Sequence, residues 1–202
     1  MVFSKKKNLE YFLLIGGITW LFVVCIGLWM LFQYENFPGT SGNPPNMWPK
    51  NSVVKLSSTL PTLIIFAHPK CPCTRATIDE LTQIITKCKD KVKTYVVFYK
   101  PHRYLVKWTK SDTWYKASNI PGVVPIIDDG GREIRRFHAY TSGQALLYNT
   151  KGELLFSGGI TGARGHQGNN SGREAVISLL ETGKAHMKET FVFGCPILNK
   201  KQ

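Results

Sequence analysis

The feature that most restricts this chain is an uncharged apolar run near its start, YFLLIGGITWLFVVCIGLWMLF, at residues 11–32. Its roughly 22 residues are enough to cross the ~30 Å hydrocarbon core of a bilayer as a helix. A cleaved signal peptide has a shorter apolar region of about 7–15 residues followed by a small-residue cleavage site, and this sequence has neither. It therefore predicts a single transmembrane anchor that stays attached, with the lipid bilayer as one partner.

The charges on either side of this run predict its orientation. Lys5, Lys6 and Lys7 precede it, whereas only Glu35 lies close behind it. Positively charged flanks stay in the cytoplasm. We therefore expect residues 1–10 to be cytoplasmic and the rest of the chain to lie outside the inner membrane, in a periplasmic or other extracytoplasmic space.

Composition limits the fold of the chain beyond the anchor. The chain has 202 residues, 43% of them hydrophobic, which is enough for one core. Residues 33–51 are rich in Pro, Gly and Asn without an apolar period and predict a linker, so that residues 52–202 form the domain. The formal net charge is +13, but Lys and Arg are scattered, with no basic helix, zinc-finger spacing or aromatic RNA-binding motif. This pattern indicates no nucleic-acid partner.

The exported part opens with a strand, a helix and a second strand. Residues 60–67, LPTLIIFA, are a short apolar run typical of a strand that is buried on both faces. From Pro72 onward apolar residues recur with a helical period, and residues 94–99 repeat the strand pattern. Because proline suits the first helical position, Cys71 is predicted at the helix cap and Cys73 in the first turn.

The rest of the domain consists of shorter elements separated by glycine-containing turns. The pattern predicts a helix at 110–119, a strand at 123–127, a helix at 132–140, a hairpin of 144–149 and 153–157, and a last helix at 172–181. Residues 169–171 are expected to cap that last helix. The whole is an α/β fold with a mixed central sheet flanked by helices.

This order, with a cysteine at the mouth of the first helix, resembles the thioredoxin superfamily. The motifs HPKCPCTRAT, SGGITGARGHQGN and VFGCP, at residues 68–77, 157–169 and 192–196, together resemble bacterial membrane-anchored proteins of the RedB-like and TlpA-like kind. The resemblance implies a thioredoxin-like fold. Two positions depart from ordinary thioredoxins: Thr74 replaces the second cysteine of Cys-x-x-Cys, and Gly143 replaces the active-site cis-proline. Copper chaperones and peroxiredoxins of the superfamily also depart from that cis-proline, so the departure at Gly143 keeps metal and peroxide chemistry open.

Cys71 is the predicted nucleophile. The attacking species is the thiolate, and a cysteine with an ordinary pKa of about 8.5 is mostly protonated at neutral pH. A helix N-terminus stabilises negative sulfur, and Lys70, Arg75 and His68 add positive charge nearby. The sequence therefore predicts a reactive thiol at this position.

Two cysteines remain open as the resolving thiol. Cys73 is adjacent, but a Cys-x-Cys disulfide closes a small strained ring that is easily reduced. Cys195, in a Gly-Cys-Pro turn of the tail, is the alternative. Cys88 lies on the apolar face of the first helix and Cys25 in the apolar run, so we expect both to be inert.

A glycine-rich loop at residues 159–166 carries one arginine and one histidine. Glycines allow close backbone approach, and Arg164 can hold an anion or stabilise a thiolate. His166 can act as a proton donor or as a ligand of a soft metal. A solvated turn without a functional role is the plainer interpretation of the same pattern.

Three functions are consistent with these residues. The favoured one is thiol–disulfide exchange by Cys71 without a cofactor, with exported proteins that have accessible cysteines, or a membrane electron donor, as partners. The alternative is copper delivery, in which Cys71, Cys73, His68 and His166 supply soft ligands for Cu(I). A thiol peroxidase with Arg164 as the activating cation ranks last, because the Pro-x-x-x-Thr-x-x-Cys arrangement of peroxiredoxins is missing.

Overall fold

The computed structural model describes residues 2–198, in which a long helix precedes a globular unit that begins at Phe37. The helix, α1, spans Val2–Asn36. Its part Glu10–Asn36 is long and apolar enough to cross a membrane, a test of length and composition that a signal sequence near the N-terminus also passes. The last residues of the expected domain, 199–202, lie outside the described residues.

The globular unit contains five strands and five further helices among its described residues. They are, in chain order, β1 (Thr62–Ala67), α2 (Pro72–Lys87), β2 (Lys93–Lys100), α3 (Val106–Thr109), α4 (Asp112–Ser118), β3 (Val123–Asp129), α5 (Arg132–Arg136), β4 (Gln144–Tyr148), β5 (Leu154–Gly159) and α6 (Ser171–Thr182).

The strands form one mixed sheet in the order β3-β2-β1-β4-β5. β1, β2 and β3 are parallel, with Ile64 opposite Tyr95. The hairpin of β4 and β5 is added antiparallel on the other side of β1, where Leu146 is opposite Ile64. β1 is therefore the central strand, and its carboxyl end leads directly into the Cys-Pro-Cys stretch.

Alternate residues of β1 supply the two faces of the core, because successive side chains of a strand point to opposite sides. Leu63 and Ile65 belong to the cluster that α2, α4 and α6 cover. Ile64 and Phe66 belong to the cluster beneath α5, which also contains Phe137. All six positions of β1 are buried, as expected of a strand covered on both faces.

Residues 37–51 differ from the expected linker because they pack against the globular unit. The ring of Trp48 meets Phe137 and Tyr148 edge-on, with ring centroids 5.0 and 5.1 Å away. The Trp48 N–H donates to the carbonyl oxygen of Gly152 at 2.7 Å, and the Gly39 N–H donates to that of Val192 at 2.8 Å. An extended segment that is held by isolated anchors has no apolar period, so the sequence pattern did not reveal it.

Two helices differ from their predicted limits. The helix expected at 110–119 begins at Asp112, and the short α3 before it was missed because four residues are too few to show a period. The helix expected at 132–140 ends at Arg136, since His138 takes a left-handed backbone with φ of 51°. The cap of α6 is confirmed: the Asn170 side chain accepts from the Arg173 N–H at 2.7 Å.

Candidate functional site

The site starts at the first turn of α2. Cys71 is the N-cap residue, with an extended backbone, and Pro72 follows at the first helical position, as predicted. The Cys71 N–H donates to the carbonyl oxygen of His68, and the Thr74 N–H donates to that of Cys71, each at 3.1 Å. The Cys71 sulfur therefore lies at the positive end of a helix of 16 residues.

Three thiols meet at this point. The Sγ atoms of Cys71 and Cys195 are 2.9 Å apart, which is less than 1 Å longer than a disulfide bond of about 2.05 Å. The Cys73 thiol is close enough to both of them to affect the pKa of each. Cys71 and Cys73 are only 3% and 7% exposed. Both cysteines considered as the resolving thiol are thus beside Cys71, and both are free thiols in this structure.

The pKa shifts of the three thiols favour ionisation of Cys71 over that of Cys73 and Cys195. Hydrogen bonds from Cys73 and Cys195 outweigh burial and lower the pKa of Cys71 to about 4. The pKa of Cys73 is raised, first because its proton is held by the Cys71 sulfur and then by burial. Burial and the bond to Cys71 raise the pKa of Cys195 to about 11. The arrangement therefore combines a nucleophilic thiolate with two protonated neighbours.

The main chain of the tail holds Cys195 in position. The Ser142 N–H donates to the carbonyl oxygen of Cys195 at 2.9 Å, and the Ile197 N–H donates to that of Tyr140 at 2.8 Å. Gly194 approaches so closely that a Cβ atom there would lie 1.9 Å from the Ser142 carbonyl oxygen. The glycine of the Gly-Cys-Pro motif is therefore required for the tail to dock in this way.

Arg164 connects the glycine-rich loop to this tail. Its Nη1 donates to the carbonyl oxygen of Gly194 at 2.6 Å, and its Nε donates to that of Phe37 at 3.1 Å. Its charge also favours the ionised forms of Cys73 and Cys195, although it does not overcome the opposing causes. Arg164 is thus engaged at the site, which the interpretation of the loop as a solvated turn did not anticipate.

Thr74 and Gly143, the two departures from ordinary thioredoxins, have structural partners. The Thr74 hydroxyl donates to the carbonyl oxygen of His68 at 3.0 Å and lies 2.9 Å from the Ser142 hydroxyl. Gly143 has φ of +92°, and a Cβ atom there would lie 2.9 Å from Oγ1 of Thr77. None of the peptide bonds between residues 2 and 198 is cis. Ser142, which sequence reasoning did not single out, joins the tail to the Cys-Pro-Cys stretch.

Comparisons with solved structures agree with this architecture. An uncharacterised conserved protein from Geobacillus kaustophilus superposes with a TM-score of 0.59 at 17% identity, covering 83% of this chain and 94% of that one. A hypothetical protein from Sinorhizobium meliloti 1021 gives 0.57 at 16% identity, covering 79% and 93%. The exposed lipoprotein thioredoxin of Streptococcus pneumoniae strain TIGR4 gives 0.45 at 14% identity, covering 69% and 98%.

The fold is thioredoxin-like. The expected fold class, a mixed central sheet flanked by helices, is therefore confirmed. No protein-family profile matches the chain, and no curated protein matches it. Shared architecture at such low identity fixes the fold alone, so the chemistry is argued from the side chains of this thioredoxin-like unit.

His68 lies beside the thiols of the thioredoxin-like unit and is largely neutral. Its Nδ1 accepts the Lys70 N–H at 3.2 Å, and its ring packs against Trp108 with centroids 5.6 Å apart. Burial lowers the pKa of His68, although the charge on Cys71 partly opposes this. His68 therefore orients the loop before Cys71 and adds little positive charge at neutral pH.

The two other candidate side chains are at the surface. The Arg75 guanidinium pairs with Asp112 at 3.0 Å, and both side chains are exposed. His166 is exposed in the glycine-rich loop, where its N–H donates to the carbonyl oxygen of Ala163. Within residues 2–198, no group of three or more His, Cys, Asp and Glu side chains is arranged to hold a metal ion.

Cys71 opens into a groove of about 510 Å³. Its lining comes from the residues around the start of α2, from the start of α4 and from the glycine-rich loop; the lining residues are Pro69, Lys70, Cys71, Pro72, Arg75, Ser111, Asp112, Thr113 and Gly165. This groove gives a partner access to an otherwise buried sulfur.

Buried charges fix the glycine-rich loop and α6 to α2. Glu80 of α2 is fully buried and accepts from Arg173 Nη1 at 2.6 Å and from the Gly168 N–H at 2.7 Å. Arg173 also donates to Gln83 at 2.8 Å. This network keeps the loop that carries Arg164 at a fixed distance from the thiols.

Proposed function

We propose that this protein is a membrane-anchored thiol–disulfide oxidoreductase of an extracytoplasmic space, with Cys71 as its nucleophile. The observation that carries the proposal is the 2.9 Å approach of the Cys71 and Cys195 sulfurs at a helix N-terminus. Such a pair needs only a small closure to form a disulfide. The lowered pKa of Cys71 supplies the thiolate that exchange requires.

The reaction has two exchange steps. The Cys71 thiolate attacks one sulfur of a substrate disulfide, and the other substrate sulfur leaves as a thiolate and takes a proton from the medium. Cys195 then loses its proton and attacks the Cys71 Sγ. The second substrate thiol leaves, and the Cys71–Cys195 disulfide remains. Two electrons pass from the protein to the substrate, and the reverse sequence oxidises a substrate dithiol.

We assign the resolving role to Cys195 in preference to Cys73. A Cys71–Cys73 disulfide closes a strained ring within one helical turn, whereas Cys195 approaches from a separate segment without that constraint. The hydrogen bond from Ser142 to the Cys195 carbonyl oxygen aligns the attack. Cys73 then acts as a hydrogen-bond donor that stabilises the Cys71 thiolate.

The cellular part of the proposal rests on α1. We infer that Glu10–Asn36 anchors the chain in the inner membrane with residues 1–10 in the cytoplasm, because the Lys5–Lys7 cluster precedes the span. The substrates are then exported proteins with accessible cysteines. A membrane electron donor, or another dithiol, restores the reduced form, since the protein itself carries only the two electrons of its thiols.

Trapping of the mixed disulfide tests the function and the choice of resolving thiol. The full-length chain in detergent is mixed with hydroxyethyl disulfide, and the adducts are mapped by mass spectrometry. We expect Cys195→Ser to accumulate an adduct on Cys71, whereas Cys73→Ser turns over and forms the Cys71–Cys195 disulfide. The opposite pattern would assign resolution to Cys73. If neither an adduct on Cys71 nor a disulfide of Cys71 forms in either variant, the oxidoreductase is refuted.

A further inference from the structure

Beside the groove is a segment that is both basic and apolar at its surface. Residues 103–110, RYLVKWTK, contain no acidic side chain, and Arg103, Lys107 and Lys110 are exposed. Tyr104 and Leu105 are 50% and 82% exposed, in a unit whose other aromatic and aliphatic side chains are mostly buried. We call the five residues Arg103, Tyr104, Leu105, Lys107 and Lys110 the basic–apolar surface.

This surface is held in place before any partner arrives. Nζ of Lys100 donates to the carbonyl oxygen of Tyr104 at 3.1 Å and pairs with Asp129 at 2.9 Å. The ring of Tyr104 packs on Trp108 with centroids 5.0 Å apart, and Trp108 meets His68 at 5.6 Å. A chain of ring contacts therefore runs from the exposed Tyr104 to the loop before Cys71, and preorganisation lowers the cost of binding.

The charge of the groove matches that of the basic–apolar surface. Ser111, a lining residue, directly follows Lys110, and Lys70 is another lining residue. Asp112, the acidic residue among the lining residues, is neutralised by its 3.0 Å pair with Arg75. A disulfide that reaches Cys71 through this groove therefore brings its flanking residues into a positive field.

We infer that the site selects extended polypeptide segments in which acidic residues flank the reacting cysteine and an aliphatic or aromatic residue packs on Tyr104 and Leu105. This inference rests on the proposed exchange function and names its substrate class. Opposite charge steers such segments into the groove, while the exposed apolar side chains gain from burial. A second copy of this chain is disfavoured as the partner, because each copy has a formal charge of +13.

An anionic bilayer surface shares the negative charge but not the shape of this partner. Cys71 is only 3% exposed, and it lines a groove together with residues around the start of α2, the start of α4 and the glycine-rich loop. A single extended chain enters such a groove, whereas a lipid surface covers it from outside. Continuity between the groove and the basic–apolar surface therefore favours a polypeptide.

The test uses the full-length chain in nanodiscs of neutral lipid and two matched peptides. Each peptide contains one leucine and one cysteine, and the cysteine forms a mixed disulfide with mercaptoethanol. The two peptides differ only in four residues that flank the cysteine, which are Glu in one peptide and Lys in the other. Hydroxyethyl disulfide measures the basal exchange. We expect kcat/KM to favour the acidic peptide by about 10-fold at low salt, and the ratio to fall toward one at about 0.5 M salt.

A charge-reversed pair of variants locates the effect. Lys107→Glu with Lys110→Glu should remove or invert the preference, whereas Lys89→Glu with Lys91→Glu, at the far end of α2, makes the same change in net charge and should keep it. Exchange with hydroxyethyl disulfide should be unchanged in both. Equal rates for the two peptides in the wild type, or equal losses in the two double variants, would overturn the inference.

Two further results separate this inference from its alternatives. If hydroxyethyl disulfide does not react, the proposed function fails. The substrate class is then tested separately, by measuring binding of the same peptides with serine in place of cysteine. Tighter binding of the acidic peptide supports the inferred substrate class, and equal binding of the two peptides overturns it. If adding phosphatidylglycerol to the nanodiscs abolishes the preference at low salt, the surface is occupied by lipid, and the inference is overturned in favour of a bilayer.

Discussion

The Ser142 N–H donates to the carbonyl oxygen of Cys195 at 2.9 Å, so the tail is held at the site by main chain as well as by sulfur. This hydrogen bond does not depend on a disulfide. The tail therefore stays docked when the thiols are reduced, and the second exchange step does not have to wait for a search by Cys195. Proximity of this kind converts a bimolecular encounter into an intramolecular one.

Replacing Gly194 by alanine should undock the tail. A Cβ atom there meets the Ser142 carbonyl oxygen at 1.9 Å, and the backbone has to shift by more than 1 Å to relieve the overlap. We expect Gly194→Ala to slow resolution of the mixed disulfide at least 10-fold, measured by rapid quench. Gly162→Ala is the control, since its Cβ has 3.7 Å of clearance. Equal rates in the two variants would contradict tail docking.

The pH dependence of alkylation should distinguish Cys71 from Cys88. Hydrogen bonds from Cys73 and Cys195 lower the pKa of Cys71 to about 4, whereas burial raises the pKa of Cys88. Cys71 therefore keeps a constant iodoacetamide rate as pH falls from 8 to about 5, while Cys88 loses about 10-fold per pH unit. Mass spectrometry of the labelled peptides measures both. A Cys71 rate that declines from about pH 8.5 would refute the lowered pKa of Cys71.

Trp48 should contribute to stability although it lies in the expected linker. Its ring contacts Phe137 and Tyr148 edge-on at 5.0 and 5.1 Å. We expect Trp48→Ala to lower the free energy of unfolding by about 2–3 kcal/mol, less than a fully buried tryptophan because the side chain is partly exposed. Urea unfolding of a chain that begins at Phe37 measures the change. Met47→Ala, at an exposed neighbour, should change it by less than about 0.5 kcal/mol.

The buried pair of Glu80 and Arg173 should be far more sensitive than a surface pair. Arg173→Ala leaves the carboxylate of Glu80 buried without its cation, which costs about 3–5 kcal/mol of unfolding free energy. Arg75→Ala removes an exposed partner of Asp112 and should cost less than about 1 kcal/mol. Thermal or urea unfolding compares them. The double variant Glu80→Leu, Arg173→Leu removes both charges. If it is less stable than Arg173→Ala alone, the unpaired buried carboxylate of Glu80 is not the cause of the loss.

Histidine variants separate exchange from copper binding. We expect His68→Ala and His166→Ala to keep most of the exchange with hydroxyethyl disulfide, because the thiolate on Cys71 is stabilised by the neighbouring thiols. Copper delivery would instead require a histidine ligand, and its removal would weaken Cu(I) binding about 10-fold or more. Competition with a Cu(I) chelator measures this. Tight binding that depends on either histidine, with negligible exchange, would refute the proposed function.

Local patterns in the sequence were sufficient for the first half of the fold. The helical period after Pro72 and the apolar run at 60–67 predicted β1, α2 and the capping role of Cys71, because those features depend on neighbours within a few positions. The hairpin followed from two short runs on either side of the Lys151-Gly152 turn. Its strands run from Gln144 to Tyr148 and from Leu154 to Gly159, within two residues of the predicted ends.

Contacts between distant segments could not be predicted in the same way. The approach of Cys195 to Cys71 joins positions 124 residues apart, and the tail that brings it has neither a helical nor a strand period. Ser142 carried no motif because its partners, His68, Thr74 and Cys195, are all distant in sequence. The packing of Trp48 was not predicted because the residue lies in a Pro- and Gly-rich stretch. The composition of such a stretch does not show whether the stretch packs on a core or is solvated.

An odd number of thiols at the site has a consequence for its oxidised form. A disulfide consumes sulfurs in pairs, so any oxidation of Cys71, Cys73 and Cys195 that stops at one disulfide leaves one sulfhydryl behind. Migration of that disulfide among the three sulfurs changes which thiol is spare and never reduces the spare count to zero. The oxidised form therefore keeps one thiol, which can attack a partner disulfide and hold one partner sulfur covalently, while the other partner sulfur leaves as a thiolate and the internal disulfide stays intact.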